Sequence, residues 1–233
     1  MLTAAQCCAV EEFLRDFPKN EQLVLPERLS KQLLALAGFP VSVPVVAHTA
    51  MQAADAAEAF GYPVALKVES YVIQHKTDVG GVRLGLQDRA AVKEAFLQMD
   101  SAMKRLDPSA CVTVQPMAQS GFEVMLGAAR LHDTPLMAAG MGGIYAEAFQ
   151  DMAFRLAPLQ EGQAERMLQS LRCAPVLNGF RPPPLDRAGV CQLLQRLSEL
   201  MQAFAQIREV DLNPCRVYEN GCAILDARIV LQL

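Results

Sequence analysis

Apolar residues recur along this chain in two rhythms: every three or four positions in some segments, and in short unbroken or alternating runs in others. The first rhythm predicts helices with one face on a core. It is clearest where Val190, Leu193, Leu194, Leu197, Leu200, Met201 and Phe204 form a single stripe, with Asp186 placed to cap the first turn. Further helices are expected over 11–17, 29–37 and 161–172, from Thr49 to Gly61, and from Asp88 to about residue 106. Thr49-Ala-Met-Gln52 reads as a capping box, and Gly38 as a C-terminal stop. The second rhythm predicts strands over 41–46, 64–68, 82–86, 111–115, 122–128 and 136–140, around Val210, and over 223–225. Hairpins and helices alternate without a regular strand–helix–strand repeat, so the expected fold class is α+β.

Composition narrows the choice of function. A chain of 233 residues makes one large domain or two small lobes, and 52% hydrophobic residues supply a sizeable core. Net charge is −4 with no basic stripe, which argues against a nucleic-acid partner. The seven cysteines form no Cys-x-x-Cys pair and no histidine lies at zinc-finger spacing, so free thiols in a reducing cytoplasm are expected. The first residues lack a basic, then apolar, leader pattern, and no apolar run approaches the roughly 20 residues that span a bilayer. Residues 1–27 read as an N-terminal extension or linker, with the domain proper over 28–233.

Five segments carry candidate chemistry. Lys67 ends an apolar strand, where it either meets an anion such as a phosphate or snorkels to solvent. After it comes His75-Lys-Thr-Asp-Val-Gly-Gly81; Gly80 and Gly81 either let backbone amides approach an anion or mark a hairpin turn. His75 is either a nucleophile towards phosphorus or a plain surface residue. In Glu209-Val-Asp-Leu-Asn-Pro214, Asp211 and Asn213 share a strand face, and Asp226 can come from a partner strand. Two carboxylates and an amide suit Mg²⁺; the bland alternative is an Asn-Pro turn with solvated acids. Gln115-Pro-Met117 followed by Gly121-Phe-Glu123 is either a hinge facing a purine and ribose or a bulged hairpin. Lastly, Gly142 and Gly143 suit close backbone approach and Arg155 suits a phosphate clamp, or the segment is a glycine-rich bend.

Taken in order, these segments resemble the ATP-grasp domain of ADP-forming acyl-CoA synthetases, the β subunit of acetate–CoA ligase (ADP-forming). The resemblance rests on Gly61-Tyr-Pro-Val-Ala-Leu-Lys67, Gln74-His-Lys-Thr-Asp-Val-Gly-Gly-Val-Arg-Leu-Gly-Leu86, Val114-Gln-Pro-Met117 with Gly121-Phe-Glu123, Gly142-Gly-Ile144 with Glu147, Phe154-Arg-Leu-Ala-Pro-Leu159, and Glu209-Val-Asp-Leu-Asn-Pro214 with Asp226-Ala-Arg228. It covers the chain from about Leu29 onward. It implies two α+β lobes, a small one over about 45–113 and a larger one over 28–44 and 114–233, with ATP gripped between antiparallel sheets. It implies ATP/ADP and Mg²⁺ as cofactors: Lys67 on the phosphates, Glu123 at the adenosine end, and Asn213 and Asp226, supported by Asp211, on the metal. It makes His75 a phosphoryl relay to a phosphohistidine on a CoA-binding α partner, which also brings the acyl-CoA or carboxylic acid. No CoA-binding fingerprint is present, so this chain alone is not expected to complete acyl-CoA synthesis. The alternative implied by related fusions is a regulatory nucleotide-binding module, as in some protein acetyltransferases.

Overall fold

The computed structural model describes residues 2–18, 22–73, 76–143, 149–180 and 184–232. Its helices are α1 (Ala4–Arg15), α2 (Glu27–Leu36), α3 (Ala50–Phe60), α4 (Arg89–Met103), α5 (Gln163–Gln169), α6 (Ala174–Leu177) and α7 (Arg187–Ala203). Its strands are β1 (Gln22–Leu25), β2 (Val45–Ala47), β3 (Val64–Glu69), β4 (Val82–Leu86), β5 (Cys111–Pro116), β6 (Phe122–Leu131), β7 (Thr134–Met141), β8 (Met152–Leu156), β9 (Ile207–Val217), β10 (Cys222–Ile224) and β11 (Arg228–Gln232). Two compact units result, one of Pro26–Lys31 and Ser42–Gln119, the other of Met1–Leu25, Gln32–Val41 and Ser120–Leu233.

The smaller unit is an antiparallel sheet in the order β2-β5-β3-β4, with α3 and α4 packed against it. Alternation along β3 sends Val64 and Leu66 into an apolar core with Ala53, Ala54, Ala57, Val92, Phe96 and Met99. Three alanines of α3 lie in that core, which lets the helix approach the sheet closely. The cap of α3 is a variant of the expected box. Thr49 Oγ1 accepts from Gln52 N at 3.1 Å, but Gln52 Oε1 accepts from His48 N at 2.8 Å, one residue earlier than the box requires. The opposite face of β3 carries Ala65, Lys67 and Glu69, in register with Gln115, Thr113 and Cys111 of β5. The first turn of α2 belongs to this unit and supplies Glu27, Arg28 and Lys31.

The larger unit is an antiparallel sheet in the order β1-β11-β9-β6-β7-β8, with β10 beside β9. The expected stripe of α7 is buried and packs on β6, β7 and β9. Asp186 Oδ1 accepts from Gly189 N at 2.8 Å, as a cap should. At the other end of α7, Arg130 Nη2 donates to Met201 O and to Phe204 O, satisfying carbonyls that a helix terminus leaves open.

Three strands were not legible in the hydrophobic pattern: β1, β8 and β11. Of these, β1 falls inside the expected N-terminal extension, yet it pairs with β11, and Val10, Phe13 and Leu14 of α1 are buried. The helix expected over 161–172 is shorter, because Gly162 at φ +72° starts α5 late. Strand β9 continues through Asn213–Pro214, where an Asn-Pro turn was the alternative. Val124 pairs with Cys215 and Leu126 with Leu212, so Asn213 and Pro214 together oppose Met125. This is a β-bulge, a place in a strand where proline's missing N–H costs no ladder bond. Among the described residues no helix is long and apolar enough to cross a membrane.

Candidate functional site

In the smaller unit the chemistry converges on Glu27. Its Oε1 accepts from Lys67 Nζ at 2.7 Å and from Lys31 Nζ at 2.9 Å, and its Oε2 from Lys76 Nζ at 3.0 Å. Lys31 Nζ also donates to Gln115 Oε1 at 3.0 Å. The side chains are 5% (Glu27), 2% (Lys31), 12% (Lys67) and 18% (Lys76) exposed, so the charges are largely dry. Burial alone would raise the Glu27 carboxyl; the ammonium groups of Lys31, Lys67 and Lys76 outweigh it and hold the acid well below the ordinary carboxylate range. Lys67 therefore does not snorkel freely from an edge. It is fixed by a carboxylate forty residues upstream.

Around β9 the larger unit gathers a second set. Glu123 stands across from Arg216, whose Nε and Nη2 both donate to Glu123 Oε1, at 3.0 and 2.9 Å. Gly142 N donates to Glu123 O at 3.0 Å, and Gly143 N donates to Asn213 Oδ1 at 3.1 Å. Asp211 lies in register with Arg228 and Gly127. Burial, then the nearby Asp226 and Glu209 carboxylates, push the Asp211 carboxyl up to about 6, while Arg228 pulls the other way. Asp211 is thus a partly buried acid among like charges, a place that favours a cation. Among the described residues no three His, Cys, Asp or Glu side chains group as metal ligands. The candidate set is two carboxylates and the Asn213 amide, within what Mg²⁺ uses when phosphates complete its shell. On the Asp211 face an open groove is lined by Met125, Gly127, Leu136, Ala138 and Phe154.

Several expected residues are placed otherwise. Gly80 N donates to Thr77 O at 3.1 Å and Gly81 N to Lys76 O at 2.7 Å, so both amides close the turn. Gly81 is needed for another reason: a Cβ there would sit 2.5 Å from Val68 Cγ1. The Gly142 and Gly143 amides are likewise engaged within the protein. A Cβ on Gly142 would lie 2.5 Å from the Val124 carbonyl, and one on Gly143 would run into the Glu123 carboxylate. Both glycines shape the site. Arg155 is in register with Met137, Ala128 and Val210, the face away from Asp211, and its Nη1 donates to Phe154 O. It does not join the carboxylates as a clamp. Met117 is held through its N–H to Pro63 O at 3.0 Å. His75 lies outside the described residues.

Sequence reasoning missed Glu27, Lys31 and Arg216, and named Lys76 only as part of the His75–Gly81 loop. A signal existed for Glu27 and Lys31. Glu27 and Lys31 are four apart, on a helix that otherwise buries Leu33 and Leu34, so a charged pair at that spacing marks a polar seam facing inward.

Comparison with known proteins gives one consistent answer. The sequence profile of the ATP-grasp domain matches residues 16–231. The chain is 36% identical over 221 residues to 4-hydroxybutyrate–CoA ligase (ADP-forming) of Nitrosopumilus maritimus, covering 91% of this chain and 32% of that one. It is 32% identical over 218 residues to the β subunit of acetate–CoA ligase (ADP-forming) I of Pyrococcus furiosus, covering 91% and 93%. The fold superposes with a TM-score of 0.86 on acetyl-coenzyme A synthetase 1 of Ca. Korarchaeum cryptofilum in complex with coenzyme A, Ca-AMPCP and HgCl⁺. That pair shares 32% identity over 96% of this chain and 98% of the other. The chain spans about a third of the length of the longer curated relatives it matches.

Proposed function

The chain belongs to the ATP-grasp family, among the ATP-grasp parts of ADP-forming acyl-CoA ligases, and from that premise we propose that it is the nucleotide-handling component of such a ligase. The overall reaction joins an acid, CoA and ATP into acyl-CoA, ADP and phosphate. A CoA-binding α partner carries the acyl chemistry and a phosphohistidine. This chain exchanges the phosphoryl group with ADP and ATP.

The observation that carries the reading is the group of three lysines on one buried carboxylate. Three ammonium groups against one carboxylate leave a formal excess of two positive charges, a potential that suits a polyphosphate. Lys67 is the phosphate ligand in this reading, with Gln115 and Met117 contributing nucleotide contacts. Glu123, oriented by Arg216, serves the adenosine end. Asp211, Asn213 and Asp226 would hold Mg²⁺, which neutralises phosphate charge when bound. His75 relays the phosphoryl group: its ring nitrogen forms a bond to phosphorus as the partner's phosphohistidine bond breaks, and ADP's terminal oxygen then takes the group to give ATP. Placement and charge neutralisation supply most of the rate in such transfers.

The test combines this chain with its CoA-binding α partner, acyl-CoA, ADP, phosphate and Mg²⁺, and follows ATP. Formation of ATP that ceases with His75→Asn, while ATP still raises the melting temperature of that variant, is the expected result. No ATP across a panel of acyl-CoAs would sink the proposal.

A further inference from the structure

The phosphate reading uses Lys67 and Gln115 but leaves Glu27 and Lys31 without a part. A carboxylate beside a polyphosphate is unfavourable by simple electrostatics, since like charges repel most strongly where water is excluded. Yet Glu27 is buried at the centre of the lysine group, 2.7 Å from Lys67 Nζ. We propose that Glu27 and Lys31 are positioning residues that hold the Lys67 and Lys76 ammonium groups and the Gln115 amide in the arrangement that receives the nucleotide phosphates. This rests on the phosphate reading of Lys67 and deepens it.

The geometry supports positioning over simple charge balance. Lysine ends in a compact charge on a four-carbon stem, and confining it costs rotamer entropy at the moment a ligand binds. Glu27 imposes that confinement beforehand. Both carboxylate oxygens are engaged: Oε1 holds Lys67 on β3, and Oε2 holds Lys76 in the turn that follows. One side chain therefore ties two lysines nine residues apart in sequence to a single point. Lys31 completes the arrangement from one turn further along the same helix. Its Nζ bridges Glu27 Oε1 and Gln115 Oε1, which fixes the Gln115 carbonyl inward and turns its NH₂ the other way. Thr113 Oγ1, donating to Lys67 O at 3.1 Å, steadies the strand at the same register. Buried ion pairs of this kind contribute little net stability compared with apolar packing, so a largely buried network with cations in excess is better explained by the placement it enforces.

The experiment compares calorimetric binding of Mg²⁺–ATP, Mg²⁺–ADP and AMP by the wild-type chain, Glu27→Gln, Lys67→Met and the double variant. Positioning predicts that Glu27→Gln weakens ATP and ADP about tenfold, the scale of one charge-assisted hydrogen bond, and changes AMP little. It also predicts that Glu27→Gln costs less once Lys67 is gone, because only the Lys76 ammonium and the Gln115 amide are then left for it to position. Tighter ATP binding by Glu27→Gln, as simple charge removal requires, overturns the inference. So does an equal loss for ATP, ADP and AMP, which would report a loosened fold. If Glu27→Gln does not fold, Glu27→Gln with Lys31→Met, which removes the stranded ammonium, is read by the same criteria. Absence of phosphate-dependent binding in the wild type would overturn the reading of the site and this inference with it; wild-type binding with an unchanged Glu27→Gln overturns this inference alone.

Discussion

Asp211 costs the protein stability where it stands. Burial and the neighbouring Asp226 and Glu209 carboxylates raise its acid to about 6, so at neutral pH the folded chain holds a charge it disfavours. That rise corresponds to at most about 3 kcal/mol, less with solvent screening. Asp211→Asn keeps the shape and removes the charge. In EDTA at pH 7.5 its melting temperature should exceed that of the wild type by several degrees, taking about 2–4 °C per kcal/mol for a chain of this size. Addition of Mg²⁺ with ATP should then stabilise the wild type more than the variant. A variant that melts at or below the wild type without metal would show that Asp211 is not strained by its neighbours. The residue scale is also where the sequence was most and least readable. Lys67 stood out because a lysine closing an apolar strand is anomalous on its own. Glu27 did not, because its meaning comes from Lys67 and Lys76, which lie 40 and 49 residues away. Gly80 and Gly81 stayed ambiguous because a glycine pair looks the same in sequence whether its amides face an anion or close a turn.

At the scale of elements, the long helices were read well, whereas α1 was placed seven residues late at its start and α6 and three short strands were not read. A helix such as α7 declares itself through local spacing and a local cap. Strands β1 and β11 pair with each other from opposite ends of the chain, and all three unread strands, β8 included, are only four or five residues long. Strand β9 was read as short because Pro214 resembles a terminator, whereas the bulge opposite Met125 lets the ladder resume at Cys215. That bulge, with the Gly142–Gly143 segment against it, sets the spacing between β6, β7 and β9 at the candidate metal residues. Gly142→Ala tests this directly. Its Cβ would press on Val124 backbone atoms, and backbone in a paired strand has little room to yield. We expect a loss above about 2 kcal/mol, visible as a clear fall in melting temperature. Mg²⁺–ATP binding should weaken along with it. A wild-type melting curve would mean that β6 and β7 part easily here, and that the glycine is incidental.

For the whole molecule, the α+β class followed from the alternation of hairpins and helices, and the ATP-grasp assignment from the order of six weak segments. What stayed hidden was the division of the chain. The Pro26–Lys31 segment belongs to the smaller unit although β1 before it and Gln32–Val41 after it belong to the larger one, a crossing that no local pattern reveals. Glu27 therefore links global stability to pH. Its folded acid is depressed by three lysines, so the unfolded chain takes up the proton first as pH falls. The stability it contributes is complete above its unfolded value near 4.5, declines as pH drops below that, and is gone once the folded acid itself protonates, at much lower pH. Glu27→Gln cannot follow this course, because it has no proton to take up. In denaturant unfolding without nucleotide, the wild type should exceed Glu27→Gln by about 1–3 kcal/mol from pH 5 to 8, the cost of stranding buried ammonium groups. The gap should then shrink steadily between pH 4.5 and 2. A gap that is constant across that acid range would mean that Glu27 stabilises the fold through packing and hydrogen bonding independent of its charge. A gap that widens with acid would reverse the sign and remove the lysines as the cause of its depressed acidity.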